Sequence, residues 1–420
     1  MRILWLNAGL LLPLDKGGKL RTWHVMRHLA VRHEITYLSF SDPGQNTADR
    51  EGMRAVCAHL QTIPRRDPAK GTASFYFDAA RYLADRVPYA VAKYRSRAFA
   101  AALRQLLDTR PFDAIVCDFL PPVVNLPDRL PCPSVLFTHN VEAEIWRRHA
   151  ENAGNPAGRF LMTRQWKRML RFEGEALTRF DLALAVSDPD RRTFQRLYPG
   201  ALRTPAHVVQ TGVDTTYFAP SDEPPRRAHL VFTGSMDWLP NEDGMLYFVR
   251  DILPRIRQAE PDTTLSIVGR TPTPAVRRLG EQPGIEVTGR VDDVRPHVAT
   301  GAVYVVPLRI GGGTRLKIFE AMAMGKAVVS TTIGAEGLPV APGQNIVIAD
   351  EPTGFAQSVV HMIRDVDARR RMELAARRVV VERYDWSVVA QDFEEALELA
   401  VARGVRPARA HQEIRLERTA

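Results

Sequence analysis

Cysteine is scarce in this chain of 420 residues: there are three, Cys57, Cys117 and Cys132. They fall in no metal-ligand spacing, and Cys117 and Cys132 have apolar or proline-flanked surroundings, so they read as inert thiols of a reducing compartment. No apolar run is long enough to cross a bilayer. The opening Met1-Arg-Ile-Leu-Trp-Leu-Asn-Ala8 enters a polar loop too soon for a signal peptide. These absences predict a cytoplasmic protein. The 57 Lys and Arg against 48 Asp and Glu give a net charge of +9, which favours anionic partners. Nucleic acid is not among the partners expected: the basic residues are scattered, and no helix-turn-helix, zinc-finger or ribonucleoprotein signature is present. The G-x-G-x-x-G fingerprint is also missing, and the run Ile35–Phe40 does not end in an acidic residue, so NAD is not expected. The Asp-x-Asp sequences are Asp188-Pro-Asp190 and Asp365-Val-Asp367. Both read as helix boundaries, and no metal is expected.

What is present is an alternation of short apolar runs with helical patterns, in two halves. Strands are predicted at 2–7, 35–40, 114–117, 134–138, 182–186 and 208–210, then at 229–233, 264–268, 285–288, 303–306 and 327–330. Alternation of this kind predicts parallel, doubly wound α/β sheets. The connector Pro220-Ser-Asp-Glu-Pro-Pro-Arg-Arg227 separates the halves. Two Rossmann-like domains are expected at 1–205 and 206–385, then a helix over 386–404 and a mobile or surface-bound basic tail over 405–420. Ligands of such sheets bind at the carboxyl ends of the strands, so a cleft between the lobes would collect the loops that follow them.

The most informative stretch runs from Val303 to Gly325: a buried strand, the triple glycine Gly311-Gly312-Gly313, then Thr314, Arg315, Leu316 and an amphipathic helix. Consecutive glycines let the backbone approach a ligand, and the first N–H groups of the next helix lack partners within it, an arrangement that can hold a phosphate. Arg315 and Lys317 add positive charge, and Glu320, one turn in, could receive sugar hydroxyls. Each feature also has a plain structural reading: a turn, solvated cations, a carboxylate complementing the helix terminus.

Other strand-end loops are candidates. Gly17-Gly18 precedes a helix and could offer backbone donors to a diphosphate or form an ordinary turn. His139, in Thr138-His139-Asn140, could bond a sugar hydroxyl or cap the next helix. In Phe232-Thr-Gly-Ser-Met-Asp-Trp-Leu-Pro-Asn241, Gly234 permits close backbone approach, and Asn241 could be a helix cap or a ligand contact.

Taken in order, these segments resemble the retaining glycosyltransferases of family four, with the GT-B fold, over nearly the whole chain. The matching pieces include Gly17-Gly18, His139-Asn140, Gly212-Val213-Asp214 with Phe218, Gly234, Gly269-Arg270, Gly289-Arg290-Val291-Asp292-Asp293 and Lys317-x-x-Glu320. Several segments look closest to bacterial members of exopolysaccharide and cell-surface glycan synthesis. The resemblance implies that Glu320 grips the nucleotide ribose, Gly18 lies beside the diphosphate and His139 near the donor sugar. It implies that Arg290 and Val291 meet the nucleobase, and that the helix from Trp386 crosses back onto the first lobe. The implied reaction moves a sugar from a nucleotide diphosphate, a UDP-sugar before a GDP-sugar, to a glycan or lipid-linked acceptor, with retention and without a metal or cofactor.

Two departures stand out. Gly312 occupies the place of the first motif glutamate, and Ser235 and Asn241 stand where a basic pair is common. Charge for the leaving diphosphate is then expected from Lys317 and Arg315, around Gly313, Thr314 and Leu316. The departures keep two alternatives open: a nucleotide-sugar epimerase or hydrolase, and a non-catalytic nucleotide-sugar-binding partner. The segment Arg159–Phe172 carries Phe160, Trp166, Met169 and Leu170 beside Lys167, Arg168 and Arg171. It reads either as a helix packing on the first lobe or as an interfacial helix that docks on an anionic membrane surface.

Overall fold

The computed structural model describes residues 1–44, 46–66, 71–74, 77, 81, 82, 84–202, 205–310 and 316–404. The described chain forms two compact units: Met1–Gln210 together with the chain from Ala390 onward, and Thr211–Val389.

The first unit is built on seven parallel strands: β1 (Arg2–Asn7), β2 (Glu34–Ser41), β3 (His59–Pro64), β4 (Ala114–Asp118), β5 (Ser134–Phe137), β6 (Leu182–Ala185) and β7 (His207–Val208). Their order is β3-β2-β1-β4-β5-β6-β7. β1 is central, with Ile3 opposite both Ile35 and Ala114. Its run Ile-Leu-Trp-Leu is buried on both faces, as a strand covered by helices on each side must be. Helix α1 (Gly17–Leu29) turns Arg21, Thr22, Val25, Met26 and Leu29 inward. The i, i+4 spacing that places Val25 and Met26 in the core therefore carries Arg21 and Thr22 in with them.

The chain from Ala390 closes this unit. It belongs to helix Trp386–Gly404. Phe393 stacks on Trp5 at 5.4 Å and meets Phe137 edge-on at 5.0 Å. Glu394 accepts from His33 Nε2 at 2.7 Å and from Arg32 Nε at 3.2 Å.

The second unit holds six parallel strands: β8 (His229–Thr233), β9 (Thr264–Val268), β10 (Ile285–Gly289), β11 (Val303–Val306), β12 (Ala327–Ser330) and β13 (Val347–Ile348), ordered β10-β9-β8-β11-β12-β13. The loops leaving β8, β9 and β10 are tied backbone to backbone. Gly234 N–H donates to Val268 at 2.9 Å, Gly269 N–H to Gly289 at 3.2 Å and Met236 N–H to Arg270 at 2.9 Å. Gly269, at φ +153°, lies so close that a Cβ there would come within 1.7 Å of the Gly234 carbonyl oxygen. These ties fix three strand ends as one rigid rim.

Candidate functional site

In the first unit the polar groups converge on Asp118, the last residue of β4. Its Oδ2 accepts from Trp5 Nε1 at 3.1 Å, Asn7 Nδ2 at 2.6 Å and Thr22 Oγ1 at 2.7 Å. Its Oδ1 lies 2.7 Å from His139 Nε2, and His139 Nδ1 lies 3.0 Å from Arg21 NH1. Asp118, Thr22, His139 and Arg21 are all buried. Burial holds the His139 imidazole below its ordinary pKa, against the pull of Asp118, and Arg21 pushes the same way. Burial also brings the Arg21 guanidinium down to about 10, with Asp190 and Asp118 opposing, so it remains a cation at neutral pH.

Phe119 covers the ring, stacked on His139 at 3.9 Å and 10°. It does so from φ +68°, a conformation that costs a bulky residue energy and that clusters at functional sites. Gly18 completes the corner: a Cβ on it would stand 2.8 Å from Phe119 Cζ and 3.6 Å from His139 Nδ1. The structure thus brings Gly18 and His139 together. Gly17 has open space around its Cβ position and is held by no such contact.

In the second unit the corresponding place is the carboxyl end of β8. Lys317, in the first turn of helix Leu316–Ala323, lays Nζ over the Phe232 ring at 4.1 Å and donates to Asn241 Oδ1 at 2.9 Å. Asn241 Nδ2 donates to the Ser235 carbonyl at 2.8 Å. A Cβ on Gly234 would meet Asn241 Nδ2 at 2.6 Å and Lys317 Nζ at 2.7 Å, so only glycine leaves room for the ammonium there.

Glu320 follows three residues on, half-buried, its pKa raised to about 7 by burial, with Lys317 drawing it back down. Its charge also reaches Tyr304 on β11, whose hydroxyl pairs with Thr233 Oγ1 at 2.5 Å and is held protonated far above its ordinary range, mainly by burial. Arg290 is exposed beyond β10 and lines an open cavity of about 800 Å³ with Thr271, Pro272 and Gly289; Val291 packs against the core. Leu316 opens the helix, half-buried. Gly311, Gly312, Gly313, Thr314 and Arg315 lie outside the described residues.

Three points left open by the sequence can now be narrowed. Asn241 is not a helix cap: the helix is Leu239–Tyr247 with Trp238 at its cap, and the Asn241 side chain links Ser235 to Lys317. At Ser235, where a basic residue is common, the hydroxyl accepts from Arg270 Nε at 3.1 Å, so a cation reaches this place from the neighbouring strand end. Of the two readings of Arg159–Phe172, the described side chains agree with a helix packed on the first lobe: Arg168 is buried, donating to the Tyr82 carbonyl at 3.3 Å, and Trp166, Met169 and Leu170 pack on the core. The exposed face of helix Pro156–Thr178 instead carries Phe160, Arg164, Lys167 and Arg171.

Sequence reasoning assigned no site role to Asp118, Arg21 or Arg270, although Arg270 stands in one of the motif segments. Asp118 lies just past the predicted strand 114–117 and was given no role. The one available signal was the i, i+4 spacing that forces Arg21 to the inward face of α1.

Two family models match: Glycosyltransferase Family 4 over residues 16–217 and Glycosyl transferases group 1 over residues 227–365. The phosphatidyl-myo-inositol mannosyltransferase of Mycobacterium tuberculosis is 31% identical over 239 residues, which are 53% of this chain and 61% of that one. The match thus spans about three fifths of the length of this curated relative. Among solved structures, HepE of Anabaena in complex with UDP superposes with TM-score 0.65 at 15% identity, over 95% of this chain and all of that one. Sucrose-phosphate synthase of Thermosynechococcus elongatus gives 0.64 at 15%, over 96% of this chain and 99% of its own. At such identities these likenesses concern the fold.

Proposed function

The chain belongs to the family-four glycosyltransferases and has their GT-B fold, and on that premise we propose that it transfers a sugar from a nucleotide diphosphate to an acceptor hydroxyl with retention. The observation that carries this reading is the Lys317 ammonium held over Gly234 by Asn241, three residues before the Glu320 carboxyl. Negative charge grows on the diphosphate as the anomeric bond breaks, and a preorganised cation out of bulk water stabilises it; each 1.4 kcal/mol or so speeds the step about tenfold. Lys317 and Arg270 supply that charge, and Glu320 receives the ribose hydroxyls. The cavity beside Arg290 takes the base.

In the first unit, Gly18 and the His139 cluster are the groups that the family resemblance assigns to the diphosphate and the donor sugar. The acceptor hydroxyl attacks on the face from which the diphosphate leaves, and a diphosphate oxygen takes its proton. No metal enters this scheme: Ser187 caps a helix at Asp190 and Asp365 caps another at Ala368, so both Asp-x-Asp sequences are occupied with helix starts. UDP is favoured as the base carrier because HepE was crystallised with it. A lipid-linked or glycan acceptor at a cell surface follows the mycobacterial relative, named for a phosphatidyl-inositol acceptor, and peripheral docking would bring the chain to it. Among the described residues, no helix is long and apolar enough to cross a membrane.

A thermal-shift panel of UDP, GDP, ADP, TDP and their sugars tests the donor. A bound nucleotide at a hundredfold excess over its Kd stabilises by about 2.7 kcal/mol. Anomeric NMR of the product tests retention. No shift with any nucleotide sinks the reading, and an epimer or free sugar as the main product turns it toward the epimerase or hydrolase.

A further inference from the structure

The proton positions around Asp118 can be deduced from donor and acceptor chemistry alone. Arginine carries only donors. The His139 Nδ1 that meets Arg21 NH1 at 3.0 Å must therefore be bare and accepting. The single proton of the neutral ring is then on Nε2, which donates to Asp118 Oδ1 at 2.7 Å. The carboxylate cannot turn away, because Trp5, Asn7 and Thr22 all donate to its other oxygen. The ring cannot tilt freely either, because Phe119 stacks on it. Burial, which holds His139 below its ordinary pKa, favours the same neutral state. The charged groups facing the ring are Asp118 and Arg21, and Arg21 in turn senses Asp190. Gly18 converges on the same Nδ1 that Arg21 meets.

We propose that Asp118 is a positioning residue: it fixes His139 as the Nε2–H tautomer, and through the bare Nδ1 it sets the Arg21 guanidinium beside Gly18. His139 is then the link that transmits an orientation, and Arg21 is the charged group delivered to the sugar-handling corner. The kinetic consequence rests on the transfer reaction proposed above; the tautomer does not.

Asp118→Asn tests this sharply. Three donors still demand an oxygen on their side, so the new amide must point its NH2 at His139 Nε2. The ring then has to present a lone pair there and move its proton to Nδ1, where it opposes the Arg21 donor. In the full chain with 15N-labelled histidine at neutral pH, long-range 1H–15N NMR of the wild type should show Nε2 protonated and Nδ1 bare, and D118N should reverse them. D118N should lower kcat by about tenfold or more, the usual scale when the partner orienting a functional histidine is lost, with KM for the nucleotide sugar unchanged. Arg21→Met should keep the Nε2 proton while lowering kcat likewise.

A wild-type ring with its proton on Nδ1, or D118N with ring and kcat unaltered, overturns the proposal. Should D118N not fold, Arg21→Met still decides, because a tautomer lost in that variant would show that Arg21 rather than Asp118 sets it. Should the wild type transfer no sugar, the NMR result stands by itself and only the transferase reading falls.

Discussion

A methyl group added at Gly234 would land 2.6 Å from Asn241 Nδ2 and 2.7 Å from Lys317 Nζ, so the smallest substitution here displaces the proposed diphosphate cation. Gly234→Ala should weaken nucleotide affinity about ten- to a hundredfold, the scale of one lost charged hydrogen bond, by titration calorimetry. Any loss of fold stability should stay near 1–3 kcal/mol. Glu320 gives a second residue-scale expectation. Its folded pKa of about 7 lies above the ordinary carboxylate value, so the folded state holds this proton more tightly than the unfolded chain does. By linkage, stability contributed by the protonated form is fully present below pH 4.5 and is lost as pH rises towards 7. Glu320→Gln should therefore raise the melting temperature at pH 8, by a few degrees for about 1–2 kcal/mol, and leave it unchanged at pH 4.5. The same variant should lose nucleotide affinity, because an amide accepts ribose hydroxyls less strongly than a carboxylate. A melting temperature unmoved at pH 8 would contradict the burial assigned to Glu320. Residues of this kind were legible because motif spacing carries them. Asp118 was not: its partners Trp5 and Asn7, Thr22 and His139 come from three separate segments, which only the folded chain brings together.

Helix Glu142–Glu151, which leaves the His139 loop, has no side-chain cap of its own at Val141. Glu173, fully buried on helix Pro156–Thr178, does that service from a distance, accepting from Glu142 N–H at 2.8 Å and Ala143 N–H at 3.1 Å. Tyr198 donates to the same carboxyl at 2.6 Å. Glu173→Ala leaves three donors, two of them buried, without this acceptor and should destabilise the protein by about 2–4 kcal/mol in urea unfolding. A loss no larger than for an exposed residue such as Glu175 would refute the capping role. The elements themselves were read from sequence wherever a strand was a continuous apolar run. β3 escaped because His59-Leu-Gln-Thr-Ile-Pro64 is only half-buried at the sheet edge. β13 escaped because two residues carry no period. The compact units part between Gln210 and Thr211 and between Val389 and Ala390, and the return of the last helix to the first unit could be read only from family resemblance, since nothing local in Ala390–Gly404 names its partner.

On the scale of the whole molecule, a net charge of +9 combines with an outward face of Phe160, Arg164, Lys167 and Arg171. Phe160 is 70% exposed, an unusual state for a large apolar side chain next to cations. If the chain meets its acceptor at a membrane, it should float with vesicles containing anionic lipid at low salt and sink with neutral ones. Phe160→Ser with Arg164, Lys167 and Arg171 changed to Gln should abolish flotation without altering nucleotide binding. Equal flotation of wild type and variant would remove this surface from consideration.

The stacking of Phe393 on Trp5, and the hold of Glu394 on His33, join positions separated by almost the full length of the chain. A ribosome delivers Trp5 long before Phe393. While Thr211–Val389 is being made, the first sheet must wait with an aromatic surface uncovered, so the second unit can finish folding before the one that precedes it, reversing the usual N-terminal-first order of synthesis.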